Sequence, residues 1–538
     1  MILSLGRDSQ RLGEAVSARV VVIGAGIGGL TSAALLAARG AQVTVCEKEA
    51  WVGGKARRVS VDGAEIDGGP TVFTLREVFD EVFAGCGASL DDHITAAPAE
   101  IIARHAWDAS GHLDLFADPL RSEDAIGDFA GAAAARGYRN FRLEAQRIFA
   151  VLEQPFLRGD KASTPFPMMR QIGFTRMGDM LAMRPFDRLW DALGEHFADP
   201  RLRQLFGRYA TYCGSSPYQA PATLMLIAHV EARGVWLIKG GIHALAKAIA
   251  ALAEGQGAAI RTAAPVAEIL TTNGQASGVR LASGEVIAAD VVIMNGDPSA
   301  LGELRFGRQV SHAADPVPPA KRSLSALVTY AHAATDGFPL THHNVFFSPD
   351  YAREFTEIAG GRPPSDPSVY LCAIDRPARE ADNAALPAGT RERIQIIVNA
   401  PANGDNHPYP EQEIEQCTKA MRNSLARCGL SLEEAAPMQV MSPHSWEGLF
   451  PSTGGALYGR ASHGWAASFQ RQGPKTKLKG LYCTGGATHP AAGVPMAALS
   501  GLLAAKVIAQ DLASMRKSLP AAIPGGMSMR SATTEPTA

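Results

Sequence analysis

The sequence predicts an α/β (α+β) chain in which a Rossmann-like dinucleotide-binding domain carries an inserted domain of sheet plus helices. Three observations predict it. An apolar run, Arg19-Val20-Val21-Val22-Ile23, leads into Gly24-Ala25-Gly26-Ile27-Gly28-Gly29 and then small residues as far as Gly40. A second apolar run, Gln42 to Cys46, ends on Glu47, 23 residues after Gly24. Glycine pairs return ahead of helical patterns at Gly240-Gly241 and Gly485-Gly486, so later parts of a 538-residue chain, too long for one simple core, rejoin the first unit.

The opening unit reads as buried strand, tight turn, helix and second strand. Gly24 allows the turn, Gly26 lets the backbone approach a pyrophosphate, and Gly29 permits close packing of helix on strand, while the helix N-terminus holds phosphate charge. Glu47 stands where a carboxylate accepts from ribose hydroxyls. A lone glycine-rich turn is weak evidence, but here strand, turn, helix, strand and acid occur in order. Whether the dinucleotide is nicotinamide or flavin stays open at this point.

Five residues after Glu47 comes Gly53-Gly54-Lys55, giving E-x5-G-G-K. This resembles the E-x5-G-G-R signature of the flavin amine oxidase and carotenoid desaturase superfamily. Lys55 replaces the arginine; it keeps a charge able to neutralise phosphate and loses the bidentate fork.

Composition is that of an ordinary globular protein, with 46% apolar and 19% charged residues and a net charge of −2, which offers no electrostatic case for a nucleic-acid partner. Residues 1–17 hold Arg7, Asp8, Arg11 and Glu14 and read as no secretory signal, and no run approaches the ~18 consecutive apolar residues of a membrane span. A cytoplasmic protein is expected. The seven cysteines are scattered without a C-x2-C pair, as reduced thiols are.

From Val59 to Pro70 the pattern is a hairpin feeding a glycine-rich loop, which either approaches a flavin ring or is a plain turn. Residues 121–154 have helical period, with Phe141, Ala145, Ile148, Phe149 and Leu152 on one face. Residues 165–188 interleave Met and Phe with Arg170, Arg176, Arg184 and Arg188. Such a segment suits a membrane surface or an adaptable core.

Gly240-Gly241 opens a helix to Ala253, followed by a strand pair at Ile260-Arg261 and Pro265 to Ile269, a hairpin turning at Ser283-Gly284, and the strand Asp290 to Met294. Val266 is either a core valine or a neighbour of adenine. Ser325 to Tyr330 and Ile394 to Asn399 alternate as strands of a second sheet. Between them His342-His343 invites a metal reading, but adjacent strand residues point to opposite faces and no third ligand stands at a suitable spacing, so no metal is expected.

The chain from about Arg19 to Asp511 resembles the bacterial carotenoid desaturases of the phytoene desaturase type. The blocks Asp67 to Phe73, Tyr209 to Tyr212, Arg322 to Ala326 and Gly454 to Arg460 look most like the 1-hydroxycarotenoid 3,4-desaturase branch. In that family the glycine-rich segment from Gly480 to Met496 is the second flavin-binding motif. The resemblance implies FAD, held by Gly24, Ala25, Gly26, Gly28, Gly29, Glu47, Lys48, Gly54, Lys55, Val266, Gly486, Val494, Pro495 and Met496. It implies an acyclic carotenoid substrate bearing a 1-hydroxy or 1-methoxy end, a 3,4-desaturation by hydride transfer to flavin, and an electron acceptor that the sequence does not identify. His489, beside the flavin motif, is either a proton-transfer residue or a structural hydrogen-bonding histidine. The expected FAD-binding domain comprises residues 18–105, 235–312 and 475–513, and the expected substrate and membrane-facing domain 106–234 and 313–474, with 1–17 and 514–538 as flexible termini. An earlier-acting phytoene desaturase, an amine oxidase and a prenyl-lipid carrier without redox chemistry remain the alternatives. The expected location is the cytoplasmic face of the membrane, peripherally attached.

Overall fold

A computed structural model describes residues 18–161, 183–377, 387 and 389–517 of the chain. Its centre is a parallel sheet in the order Leu481–Cys483, Val291–Met294, β1 (Arg19–Ile23), β2 (Gln42–Cys46), Ala259–Arg261. Strands buried on both faces read as unbroken apolar runs, which is why β1 and Val291–Met294 show no alternation. The helix α1 (Ile27–Ala37) follows the glycine turn and is buried at every residue, so its apolar character runs all round rather than along one stripe. It packs against the C-terminal helix Val494–Lys517 and against Gly241–Gly255. Among the described residues Val494–Met515 is the one helix long and apolar enough to cross a membrane, and much of it is buried in this core.

The Val59–Pro70 pattern is a two-stranded hairpin, Arg58–Val61 with Ala64–Asp67. Asp67 then reaches the helix Gly241–Gly255, where its carboxylate accepts from the Ile242 and His243 N–H groups. A side chain at Gly241 would put its Cβ 2.0 Å from that carboxylate, and the residue sits at φ +74°, so the glycine is required there. Burial raises the Asp67 pKa to about 6.

The second sheet is mixed and has eight strands, with Ser325–Asp336 and Arg391–Ala400 as its longest antiparallel pair. Period-two alternation decides its two faces. Ile394, Ile396 and Val398 enter a core under the helix Glu411–Arg427, whereas Gln395, Ile397 and Asn399 face the opposite way into a large cavity. The helices Ala132–Leu152, Leu189–His196 and Pro200–Gly207 pack into a further core around Phe141, Ala145, Ile148 and Leu152, of which Leu152 also lines the cavity.

Several expectations change. The helix predicted over 121–154 is two helices, Pro119–Ala130 and Ala132–Leu152, broken at Gly131 (φ +88°). The boundary placed after residue 105 falls inside the strand Ile101–Ala106, which pairs with His343–Phe346 and belongs to the second sheet. Ala259–Arg261 and Val266–Thr272 are not partners: the first extends the parallel sheet and the second belongs to a three-stranded antiparallel sheet. The last helix runs on to Lys517, past the expected start of a tail at 514. Of segment 165–188, residues 165–182 lie outside the described residues.

Candidate cofactor and substrate site

The carboxyl ends of the parallel strands converge on one side of the sheet, where α/β folds of this kind bind ligands. Gly24, Gly26 and Gly28 line a cavity of about 820 Å³ there, together with Glu47, Lys48, Gly54, Lys55, Val266, Gly486, Val494, Pro495 and Met496. Ala25 and Gly29 stand behind this wall. The Ala25 N–H donates to Glu47 Oε2 at 2.7 Å, and a Cβ at Gly29 would meet the Gly24 carbonyl at 2.5 Å.

Glu47 is buried, and its second oxygen accepts from the Glu49 N–H at 2.9 Å. Two backbone donors thus aim the carboxylate while leaving it lone pairs for a ligand. At the start of α1 no side chain caps the helix and no acid stands in its first turn, so the first-turn N–H groups are left for an anion. These features fit the dinucleotide: a glycine turn without side chains, unpaired amide donors for a pyrophosphate, and an oriented acid for a ribose.

Two residues that the sequence reading passed over hold this cradle, and a third lines the cavity beside it. Asn295 immediately follows the strand Val291–Met294; its Nδ2 donates to the Gly24 carbonyl at 2.9 Å, and it lies against Gly26, Gly29 and Gly485. It joins the first and last glycine turns. Its signal was its place at the carboxyl end of a parallel strand. Arg471 is buried and donates to the carbonyls of Gly486 (3.3 Å), Tyr458 (2.9 Å) and Arg460 (2.7 Å), and burial lowers its pKa. Asp297 lines the cavity, and its charge partly offsets the lowering of the Lys55 pKa that burial causes.

The structure gives Lys55 another partner than the one expected. Its ammonium donates to the Leu457 carbonyl at 2.6 Å and lies 5.3 Å from the centre of the Phe450 ring, and burial lowers its pKa to about 8. It ties the cradle to the second domain's loop. Lys48 likewise donates to the Leu449 carbonyl, at 2.6 Å.

His489 is not among the residues lining the cavity. Its Nε2 meets the Gly159 carbonyl at 3.2 Å, Phe156 packs edge-on against the ring, and burial lowers its pKa to about 4. The geometry suits a neutral hydrogen-bonding histidine and brings it to no reacting atom. The two adjacent histidines also behave unlike the expectation. His342 precedes the strand that begins at His343, so their rings touch edge to face at 4.6 Å, and strand register brings Cys372 opposite His343, with all three possible ligand atoms within 4.8 Å. The third residue was hidden because it arrives by strand pairing rather than by sequence spacing. His343 Nδ1 is engaged by Tyr370 Oη at 2.7 Å, and His342 Nδ1 by the Arg376 carbonyl at 3.1 Å.

Beyond the cradle the same cavity continues between the second sheet and the helices, past Val345, Phe347, Leu224, Ile227 and Phe469, to Met183, Pro185 and Trp465. It is mostly apolar.

The family profile described as flavin containing amine oxidoreductase matches residues 27–509. The chain is 48% identical to the hydroxyneurosporene desaturase of Rubrivivax gelatinosus over 96% of its own length and 98% of the relative's. It is 30% identical to the zeta-carotene-forming phytoene desaturase of Myxococcus xanthus, covering 90% and 92% of the two chains. Among solved structures it shares its fold with an oxidoreductase of Methanosarcina mazei (TM-score 0.59, 18% identity, covering 91% of this chain and all of the other). The chain therefore belongs to the flavin containing amine oxidoreductases, on the branch of the carotenoid desaturases, and is an FAD-dependent oxidoreductase.

Proposed function

We propose that the protein introduces the C-3,4 double bond into an acyclic 1-hydroxy- or 1-methoxycarotenoid that it takes up at the surface of the cytoplasmic membrane. The observation that carries this reading is the single cavity that runs from the dinucleotide cradle to an exposed aromatic rim. The 48% identity to a hydroxyneurosporene desaturase, against 30% to a phytoene desaturase, supports the later desaturation step.

Flavin, when bound, would supply the acceptor for the hydride that leaves one carbon of a CH–CH unit, and the neighbouring carbon then gives up a proton to a base so that the C=C bond forms. The protein's residues do the rest. The apolar walls hold the polyene straight and keep water from the forming cation, and the Gly68-Gly69-Pro70-Thr71 loop is held flush by the Gln395 amide on the Gly69 carbonyl (2.9 Å) and by Tyr330 Oη on the Gly68 carbonyl (2.8 Å).

The test is the visible absorption of carotenoid in liposomes incubated with flavin-loaded protein and a supplied electron acceptor. A red shift with 1-hydroxyneurosporene and none with phytoene is expected. A shift with phytoene moves the protein to an earlier step, and no shift with any carotenoid overturns the reading in favour of an oxidase or a carrier.

The membrane part rests on Phe186 and Trp465, 76% and 46% exposed, which pack edge to face at 5.8 Å where Met183, Pro185 and Trp465 line the cavity mouth. Exposed aromatics of this kind seat at a lipid boundary. Changing both Phe186 and Trp465 to Asp is expected to reduce co-sedimentation with anionic liposomes at least several-fold while FAD content stays at the wild-type level; unchanged sedimentation sinks the membrane reading.

A further inference from the structure

A charged network stands in the wall of this largely apolar cavity. Arg208, Tyr212 and Glu231 all line it. Arg208 and Tyr212 lie four residues apart on the tight helical turn Arg208–Cys213, so their side chains meet, and Glu231 comes from the helix Leu226–Ala232. Arg208 Nη1 donates to Tyr212 Oη at 2.6 Å, Tyr212 Oη donates to Glu231 Oε1 at 2.9 Å, and Tyr209 Oη donates to Glu231 Oε2. Arg208 Nη2 meets His105 Nε2 at 3.4 Å. One donor is left over: Arg208 Nε is buried and has no partner among the described residues.

A second polar pair faces this network. Tyr370 Oη contacts Thr71 Oγ1 at 2.6 Å and His343 Nδ1 at 2.7 Å, and Thr71 ends the glycine loop beside the cradle. Thr71 and Tyr370 line the same cavity as Arg208, Tyr212 and Glu231.

Burying an arginine and a glutamate in an apolar cavity is costly, and hydrophobic residues of the same volume would pack it more cheaply. A ligand oxygen gives the network a use. We propose that Arg208 and Tyr212, braced by Glu231, form the subsite that takes the oxygen at the end of the substrate and so decide which carotenoid is accepted. The inference rests on the 3,4-desaturase reading above. In such a substrate two carbons, C-1 and C-2, lie between the oxygen and C-3, the nearer carbon of the bond that loses hydrogen. The group that reads the oxygen therefore belongs in the cavity that the glycine loop also lines, and this network stands in that cavity's wall. A methoxy oxygen only accepts, so its reader must donate; the guanidinium donates to either end group and cannot lose its proton.

The experiment compares Tyr212→Phe, Arg208→Lys and Arg208→Gln with wild type, using 1-hydroxyneurosporene and neurosporene. FAD content and Tm are read first, then kcat/KM for both carotenoids and, without electron acceptor, their binding by quenching of protein fluorescence. The ratio of hydroxylated to unhydroxylated kcat/KM and the matching binding ratio are expected to fall about ten- to a hundredfold, the worth of one lost charge-assisted hydrogen bond. Arg208→Lys is expected to retain more of the ratio than Arg208→Gln. Unchanged ratios in folded, flavin-loaded Tyr212→Phe overturn the proposal, and this near-isosteric variant decides the matter if the arginine variants do not fold. Wild-type protein that prefers the hydroxylated carotenoid in binding but desaturates neither overturns the functional reading and leaves the subsite standing; equal binding of the two overturns the subsite itself.

Discussion

Replacing Glu47 with alanine is expected to strip the protein of its flavin. The carboxylate accepts the Ala25 N–H at 2.7 Å and the Glu49 N–H at 2.9 Å in a buried setting, and it lines the cavity with lone pairs left for a ligand. Alanine leaves both N–H groups without their acceptor, at about 1–3 kcal/mol each, and removes the ribose partner as well. The two losses act on the same turn, so the Kd for FAD should rise at least about 100-fold, from roughly 3 kcal/mol of lost interaction. Purified Glu47→Ala should show less than a tenth of the wild-type absorption near 450 nm per protein. Glu47→Gln keeps one carbonyl acceptor and turns its amide donors toward the other N–H, so it should fall between the two. Full flavin content in Glu47→Ala would remove Glu47 from the cofactor site.

The second large effect is on stability and lies in the second sheet, behind the cavity wall. Arg104 and Asp114 form a bidentate pair, Nε to Oδ1 at 2.8 Å and Nη2 to Oδ2 at 2.7 Å, with both side chains almost fully buried. They join the strands Ile101–Ala106 and Leu113–Phe116, and the neighbouring residue, His105, contacts Arg208. Asp114→Ala leaves a buried guanidinium without its counter-charge, which costs about 3–5 kcal/mol. A lower Tm and urea midpoint are expected, with the loss of discrimination between hydroxylated and unhydroxylated carotenoid appearing before unfolding, because the strand that carries His105 loosens first. The double variant Arg104→Met/Asp114→Leu should recover most of the stability, since no charge is then stranded. A stability of Asp114→Ala within 1 kcal/mol of wild type, of the order seen for exposed pairs, would contradict this account.

The nucleotide-binding unit was legible because its information is local. β1, the glycine turn, α1, β2 and Glu47 are consecutive, and each follows from side-chain size and periodicity within a few residues. The alternation in Ile394 to Asn399 likewise announced strands of a second sheet, and the structure turns Ile394, Ile396 and Val398 to a core and Gln395, Ile397 and Asn399 to the cavity. Where reading failed, distance along the chain was the cause. The Leu457 carbonyl that the Lys55 ammonium bonds lies 402 residues on, so no local motif announces that contact. Cys372 reaches His343 only through strand register. Gly131 breaks a helix that its neighbours' periodicity would have continued.

The sequence by itself determined the kind of cofactor cradle, the two-sheet architecture and the family, because glycine spacing, an acid at a strand end and apolar periodicity are properties of neighbouring residues. Only the tertiary structure decided that Asn295 and Arg471 hold the cradle, that His489 stays behind its wall, and that Arg208, Tyr212 and Glu231 meet in the substrate cavity. Such meetings depend on how helices and sheets from distant segments pack, and the free energy that makes them, the burial of apolar surface around them, is not written in any one stretch of chain.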